Sequence, residues 1–145
     1  MGGNVDSSRL PILVATVPVA AERLRRIFAT HRVACPATYD EAARLITQKQ
    51  FSLAVLGVYF AGSRMFDLLS CVRGSAKNRR TPVACVVGLR GDLSPLVIRS
   101  LEQTVSAMPR SSFLNLAAIP DDPAGNEMVL GFLSSLLAAP ARATT

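Results

Sequence analysis

The sequence predicts a doubly wound α/β sandwich of three layers, with a five-stranded parallel sheet in the middle. Five short apolar runs of strand length alternate with five stretches in which apolar residues recur at helical spacing. Strands that alternate with helices pair in parallel, and right-handed crossovers place the helices on both faces of the sheet. We therefore expect one domain over residues 10–138, with flexible tails at 1–9 and 139–145.

The first strand and helix follow directly after the polar start of the chain. Residues 10–16 form a continuous apolar run, which is typical of a strand that is buried on both faces. Residues 18–28 begin with a proline and then carry apolar side chains at helical spacing between charged ones, which predicts an amphipathic helix. Residues 32–36 are predicted as a weak second strand.

The second helix begins with a capping signal. Thr38 and Glu41 have the spacing of a capping box, in which the Thr hydroxyl and the Glu carboxylate satisfy amide groups of the first turn. Residues 51–56 then form the third strand, which ends at Gly57. A loop follows, and the third helix is expected from about Ser63.

The last third of the chain repeats the alternation twice. Residues 82–87 are the fourth strand, and Ser94 before a proline predicts the start of the fourth helix. Residues 113–116 are the predicted fifth strand, and a last helix is expected from Asp122. The simplest arrangement has the strand order 2-1-3-4-5, in which ligands bind beyond the carboxyl ends of the strands.

The composition excludes several classes of protein. Three well separated cysteines and one histidine exclude a disulfide framework, a four-cysteine zinc site and a histidine-rich metal site. No apolar run approaches the ~20 residues that span a bilayer, and the start of the chain lacks the pattern of a signal peptide. We therefore expect a cytoplasmic protein with no membrane contact.

The net charge of +6 arises from 16 basic and 10 acidic residues. The basic residues are spread along the chain, whereas a nucleic-acid interface needs a clustered basic face, so we expect no nucleic-acid partner. The one local cluster, at residues 73–80, is interpreted as a solvated connector.

Several short motifs follow one another in a characteristic order. They lie at residues 51–57, 62–69, 80–83 and 119–120. Together they resemble the receiver domains of two-component response regulators, and the resemblance extends over nearly the whole chain. It implies a flavodoxin-like fold and a role in signalling.

In that family, an acidic pair after the first strand holds Mg²⁺, and an aspartate at the end of the third strand accepts the phosphoryl group. A hydroxyl after the fourth strand and a lysine after the fifth bind the phosphoryl oxygens. The resemblance assigns these five positions to Thr16, Val17, Gly57, Val87 and Ile119. A shifted alignment supplies no carboxylate, because no Asp or Glu occurs at residues 7–21 or 42–66. The resemblance therefore implies a degenerate receiver, or pseudo-receiver, without phosphotransfer, metal or cofactor.

Two further features point to contacts with other molecules. Tyr59 and Phe60 lie in the loop over the former phosphorylation site, where they either plug the pocket, the interpretation we favour, or form an exposed surface. The last helix carries no charge over residues 128–139. Its outer face would be made of small residues, among them Gly131, Ser134 and Ser135. In receiver domains, the side formed by the fourth helix, fifth strand and fifth helix commonly mediates dimers and partner contacts.

The sequence thus favours a non-catalytic signalling module that binds a kinase, an output or scaffold protein, or a second copy of itself. The alternative is a small-ligand sensor that uses the uncharged crevice between Thr16, Gly57 and Gly88. An enzyme of the same fold is disfavoured, because the sequence shows no phosphate-binding glycine loop, no Ser-His-Asp set and no acid at the strand ends.

Overall fold

The computed structural model describes residues 10–88 and 93–143, with side chains described as far as residue 137. Within these residues, five parallel strands form one sheet of order β2-β1-β3-β4-β5, so the predicted fold class is confirmed. The strands are β1 (Ile12–Ala15), β2 (Val33–Ala34), β3 (Leu53–Gly57), β4 (Val83–Val86) and β5 (Ser111–Leu114).

Helices connect the strands in the predicted alternation. They are α1 (Pro18–Ile27), α2 (Tyr39–Gln48), α3 (Met65–Gly74), α4 (Pro95–Ser106) and α5 (Pro123–Ala143). The hydroxyl of Thr38 accepts from the Glu41 amide at 3.1 Å, as predicted, and the Glu41 carboxylate accepts from Ala37 rather than from Thr38. The hydroxyl of Ser94 accepts from the Val97 amide at 3.2 Å and caps α4.

Each face of the sheet packs against its own group of helices. Apolar side chains of α2, α3 and α4 cover one face, and those of α1 and α5 cover the other. The central strands β1, β3 and β4 are buried along their whole length, which explains why their sequences are continuously apolar. None of the helices in the described part of the chain is long and apolar enough to cross a membrane.

The fifth strand lies two residues earlier than its apolar pattern predicts. The Arg110 carbonyl already pairs with the Val83 amide at the start of β5. After Leu114 the chain turns into a 3₁₀ helix, Leu116–Ala118, in which the Ala117 amide still donates to the Val87 carbonyl at 2.9 Å. Leu116 belongs to this helix and is buried in the core. The apolar residues up to Leu116 therefore resembled a buried strand in the sequence.

The last helix is longer than predicted. It continues to Ala143, so residues 139–143 are helical where we expected part of a tail. The segment is rich in alanine, the residue with the highest helix propensity, which favours the extension although Pro140 lies within it.

Loops at the amino ends of the strands are joined by one buried amide. Asn78, which is 1% exposed, donates to the carbonyls of Ile46 and Lys49 at 2.6 and 2.7 Å. Its oxygen accepts from the Phe51 amide at 2.8 Å and lies 3.0 Å from the hydroxyl of Thr81. The loop before β3 and the loop before β4 are therefore held together.

Candidate functional site

The carboxyl ends of β1, β3 and β4 meet at one edge of the sheet. Thr16 follows β1 directly, Gly57 is the last residue of β3, and Val87 follows β4. The register pairs Ala15 with Leu56 and Gly57 with Val86, so these three positions are neighbours. The structure thus brings together the residues that the sequence assigned to the acidic pair, the acceptor and the hydroxyl.

The side chain of Thr16 occupies the space beside Gly57. A Cβ atom placed on Gly57 would lie only 2.7 Å from Cβ of Thr16, and closer still to its Oγ1. A Cβ placed on Gly88 would lie 2.6 Å from Cβ of Ala20 and 3.2 Å from the same Oγ1. Both glycines are therefore needed where they stand, because Thr16 and α1 approach the strand ends too closely for a larger residue.

The hydroxyl of Thr16 is buried without a hydrogen-bond partner. The residue is 5% exposed, and its Oγ1 has no donor or acceptor within reach among the described residues. A buried hydroxyl that makes no hydrogen bond costs about 1–3 kcal/mol. This cost makes Thr16 an unusual residue for a position that packing alone would give to an aliphatic side chain.

The described residues of this edge hold no set of metal ligands. No group of three or more His, Cys, Asp or Glu side chains in residues 10–88 and 93–137 could hold a metal ion. Val87 is buried, and Val17 and Ile119 are half-buried. Apolar side chains therefore occupy these three positions.

The two aromatic residues of the loop after β3 have different environments. Phe60 is 4% exposed and packs in the core with the side chains of α3. It fills the interior, so its assignment to an interaction surface is corrected: a buried ring offers no surface. Tyr59 is half-buried and remains partly accessible at this edge.

A left-handed turn links this loop to α3. Ala61, Gly62 and Ser63 all have positive φ, at 53°, 69° and 69°, and the Arg64 amide donates to the Phe60 carbonyl at 3.0 Å. The left-handed conformation costs a non-glycine residue about 1–2 kcal/mol. The sequence indicated a loop here through its glycine, but it gave no sign that two side-chain-bearing residues would adopt the same conformation.

The loop between β5 and α5 is held by Arg23 of α1. This residue is 8% exposed, and its guanidinium donates to the carbonyls of Leu116 and Pro120 at 3.1 and 2.8 Å and to the Asn126 side chain at 2.8 Å. The amphipathic pattern of residues 18–28 does not indicate that this arginine is buried. No local pattern could indicate it, because its partners lie about one hundred residues further along the chain.

A second arginine of α1, Arg26, binds the same loop through an exposed ion pair. The Arg26 guanidinium donates to the Asp121 carboxylate at 2.8 Å. Hydrogen bonds from Arg26 and Asn126 lower the pKa of Asp121 to about 2, so the carboxylate stays charged at any ordinary pH. Arg23 and Arg26 thus fasten the β5–α5 loop to α1.

The outer face of α5 exposes small residues and one methionine. Gly131 and Ser135 are exposed, Ser134 is half-buried, and Met128 is 66% exposed. The Ser135 hydroxyl donates back to the Phe132 carbonyl at 2.6 Å. β5 is the edge strand of the sheet, and α5 and α4 pack on its two faces.

The cysteines do not form a nucleophilic site. Burial raises the pKa of the Cys85 thiol to about 12, so it stays protonated and acts as a core side chain. Burial also raises the pKa of the Cys35 thiol, against the effect of nearby Arg25.

Comparison with solved structures places the fold among receiver domains. A response regulator from Hahella chejuensis superposes with a TM-score of 0.66 at 16% identity, over 89% of this chain and 96% of that one. The receiver domain of a histidine kinase from Syntrophus aciditrophicus gives 0.63 at 21% identity, over 90% and 91%. A receiver domain from a Pseudomonas aeruginosa sensor histidine kinase, solved with magnesium in its active-site cleft, gives 0.63 at 14% identity, over 88% and 97%.

These superpositions establish the receiver fold for this chain. No protein-family model matches the sequence, and no curated protein matches it significantly.

Replacing Gly57 by alanine tests the contact with Thr16. Gly57→Ala should lower the free energy of unfolding by about 1–3 kcal/mol, because the added methyl group overpacks a filled site. Urea unfolding measures the change. Gly74→Ala is the matched control: nothing lies within 4 Å of its added Cβ, and it should leave stability unchanged or slightly raised. Equal effects of the two substitutions would show that Thr16 leaves room beside Gly57.

Proposed function

We propose that this protein is a signalling module of the receiver fold that binds a partner protein and is not phosphorylated on aspartate. The observation that carries the proposal is the packing of Thr16 against Gly57. Transfer of a phosphoryl group needs a carboxylate nucleophile and cations that neutralise the moving charge. A glycine that is covered by a threonine supplies neither, and no Asp or Glu occurs at residues 7–21 or 42–66.

The β5–α5 loop supports the same proposal. In a phosphorylated receiver, this loop presents a lysine to the phosphoryl group, whereas here Ile119 stands in its place and Arg23 anchors the loop through main-chain carbonyls. These hydrogen bonds do not depend on a ligand. We infer that the loop holds one conformation and that the module is not switched by phosphorylation.

The partner surface that we propose is formed by α4, β5 and α5. Leu96 on α4 is 70% exposed and Met128 on α5 is 66% exposed, while α5 carries no charge over residues 128–139. Exposed apolar side chains beside small, uncharged ones are typical of a protein contact. A second copy of the chain is the simplest partner, and a kinase, an output domain or a scaffold protein is the alternative. We assign the module to the cytoplasm, because its three cysteines are free thiols.

Treatment with a phosphodonor tests the chemical half of the proposal. After incubation with acetyl phosphate and Mg²⁺, intact-mass spectrometry should detect no phosphoryl adduct, because no carboxylate is available at Gly57. Beryllofluoride should likewise cause no shift of amide resonances near Gly57. A receiver domain with a complete acidic site serves as the positive control. A stable adduct, or a saturable shift at Gly57, would contradict the proposal.

The mass in solution tests the interaction half. Light scattering over a concentration series should show a mass that rises from monomer towards dimer. Leu96→Asp should weaken the dimer by about tenfold or more, because a charge would be buried in an apolar contact. Val19→Asp is the control, since Val19 is 61% exposed on α1, a helix that is not part of the proposed surface. A monomer at every concentration would exclude the homodimer and leave a different protein as the partner.

A small-ligand sensor is the second candidate function. The observation that favours it is the unpartnered Thr16 hydroxyl, since a neutral ligand in the crevice between Gly57 and Gly88 would supply the missing hydrogen bond. Such a ligand would be small and uncharged, because Val87 and Ala20 complete the walls near these residues.

Replacing Thr16 by valine separates the two candidates. If the hydroxyl is unpaired, Thr16→Val should raise the free energy of unfolding by about 1 kcal/mol, because the shape is kept and the unsatisfied group is removed. Thr81→Val is the control: this hydroxyl is also buried but lies within hydrogen-bond distance of Phe51 and Asn78, and its loss should be destabilising. A loss of stability in Thr16→Val as well would show that a bound molecule uses the hydroxyl.

A further inference from the structure

Basic side chains collect at the edge of the sheet opposite the candidate site. We call this surface the basic edge and define it by exposed residues of the loops that lead into β3, β4 and β5. They are Lys49, Lys77, Arg79, Arg80 and Arg110. The residues are up to 61 positions apart in sequence, and only the parallel sheet, which starts every strand at the same edge, brings them together.

Two buried or half-buried polar residues hold these loops in place. Asn78 ties the loop before β3 to the loop before β4, as described above. Arg73, in the last turn of α3, donates to the carbonyls of Arg79 and Thr81 at 3.2 and 2.7 Å and to those of Pro109 and Arg110 at 3.0 Å each. The main chain that carries the basic edge is therefore held in one arrangement.

The positive charge of Arg73 has no carboxylate beside it in the described structure. All of the hydrogen bonds described for its guanidinium go to main-chain carbonyls or to the hydroxyl of Ser111. Burial lowers the pKa of Arg73, and the neighbouring charge of Arg110 lowers it further. The two arginines thus repel one another, and a bound anion would relieve this repulsion.

Acidic residues are separated from the basic edge by the fold. The loops at residues 49–52, 75–82 and 107–110 contain no Asp or Glu. Most of the described acids lie instead in the first halves of helices or in the β5–α5 loop, towards the opposite edge. They include Asp40, Glu41, Asp67, Asp121 and Asp122, whereas Glu102 lies in the second half of α4. A surface of one sign, free of counter-charges, attracts ligands of the other sign.

A cavity of about 330 Å³ opens beside the basic edge. Arg110 belongs to both, and apolar walls come from Pro82, Met108 and Leu136. The remaining lining is formed by hydroxyl-bearing residues: Ser106, Ser111 and Ser112. A half-apolar cavity with an arginine in its lining fits a side chain of an approaching peptide better than it fits a bare phosphate group.

We propose that the basic edge binds an extended, acidic segment of a partner protein, with one apolar side chain seated in the cavity between α4, β5 and α5. The three loops offer no exposed aromatic ring on which a base could stack, since their one aromatic residue, Phe51, is 2% exposed. A protein segment therefore matches the surface better than a nucleic acid does. The proposal does not depend on the phosphorylation state. It adds the basic edge to the partner surface of α4, β5 and α5 proposed above, because the cavity lies between these same elements. The peptide assay reports on the basic edge whether or not the chain also dimerises through Leu96.

Binding of a defined peptide tests the proposal. The probe is a fluorescein-labelled peptide of alternating Glu and Ser with one central Leu, and fluorescence anisotropy measures its affinity for the full chain at low and high salt. The combined substitutions Lys77→Gln, Arg79→Gln and Arg80→Gln should weaken binding by roughly tenfold, as expected when several exposed ion pairs are lost. Replacing the central Leu of the peptide by Ser should weaken it as well.

The matched control removes the same number of charges elsewhere. Arg25→Gln, Arg44→Gln and Arg99→Gln alter exposed residues of α1, α2 and α4 and should leave the affinity nearly unchanged. The basic-edge substitutions should not unfold the chain, because Arg73 bonds the main chain of Arg79 and not its side chain. Arg110→Gln, a single exposed change, provides an independent second variant.

Three results would overturn the proposal. Equal loss in the basic-edge and control variants would mean that the peptide responds to net charge alone. Unchanged binding after the Leu→Ser change in the peptide would remove the cavity from the site. A single-stranded oligonucleotide of equal charge that binds more tightly, with the same dependence on Lys77, Arg79 and Arg80, would identify the surface as a nucleic-acid interface.

Discussion

The contact between Thr16 and Gly57 determines what the carboxyl edge of this sheet can do. Parallel strands β1 and β3 are adjacent, so the residue after one strand and the last residue of the other compete for one small volume. Here Thr16 takes that volume, and Gly57 is the residue that permits it. An aspartate at position 57 would need both the space that Thr16 fills and a counter-ion at an edge whose described residues supply no cluster of acids to hold a cation. Filling the site avoids the cost of such a buried charge.

The rest of this edge is consistent with a filled site. Phe60 packs inward beneath a left-handed turn, and Arg23 fastens the β5–α5 loop with hydrogen bonds that no ligand mediates. A conformational switch requires two states whose relative populations a ligand can change. In this structure, a buried ring and a buried arginine hold the two loops without one.

Much of the fold was predictable from the sequence, because its strongest patterns are local. Continuous apolar runs, the Thr38 cap and the Ser94 cap each act within a few residues, and the structure confirms them. The features that the sequence did not reveal depend on contacts between residues that are far apart in the chain. The burial of Arg23 is set by carbonyls near residue 120, and the apolar run at 113–116 indicated burial without revealing that Leu116 lies in a 3₁₀ turn. Gly57 was located correctly, but its contact with Thr16 follows only from the packing of two strands.

The basic edge was also not predictable from the sequence, because its charged residues come from loops that are distant in sequence. In sequence, the basic residues of 73–80 indicate a solvated connector, and Lys49 and Arg110 are isolated. A parallel sheet begins every strand at one edge and every following helix at the other, so acids that favour helix amino ends and cations in the loops before strands separate by themselves. Part of this separation stabilises helix ends and needs no ligand. Stabilisation of helix ends does not explain the position of Arg73, which is half-buried among main-chain carbonyls and close to Arg110. A cation at a helix end gains nothing from a second cation beside it. A fixed pair of arginines next to a half-apolar cavity is an arrangement that an acidic peptide would stabilise.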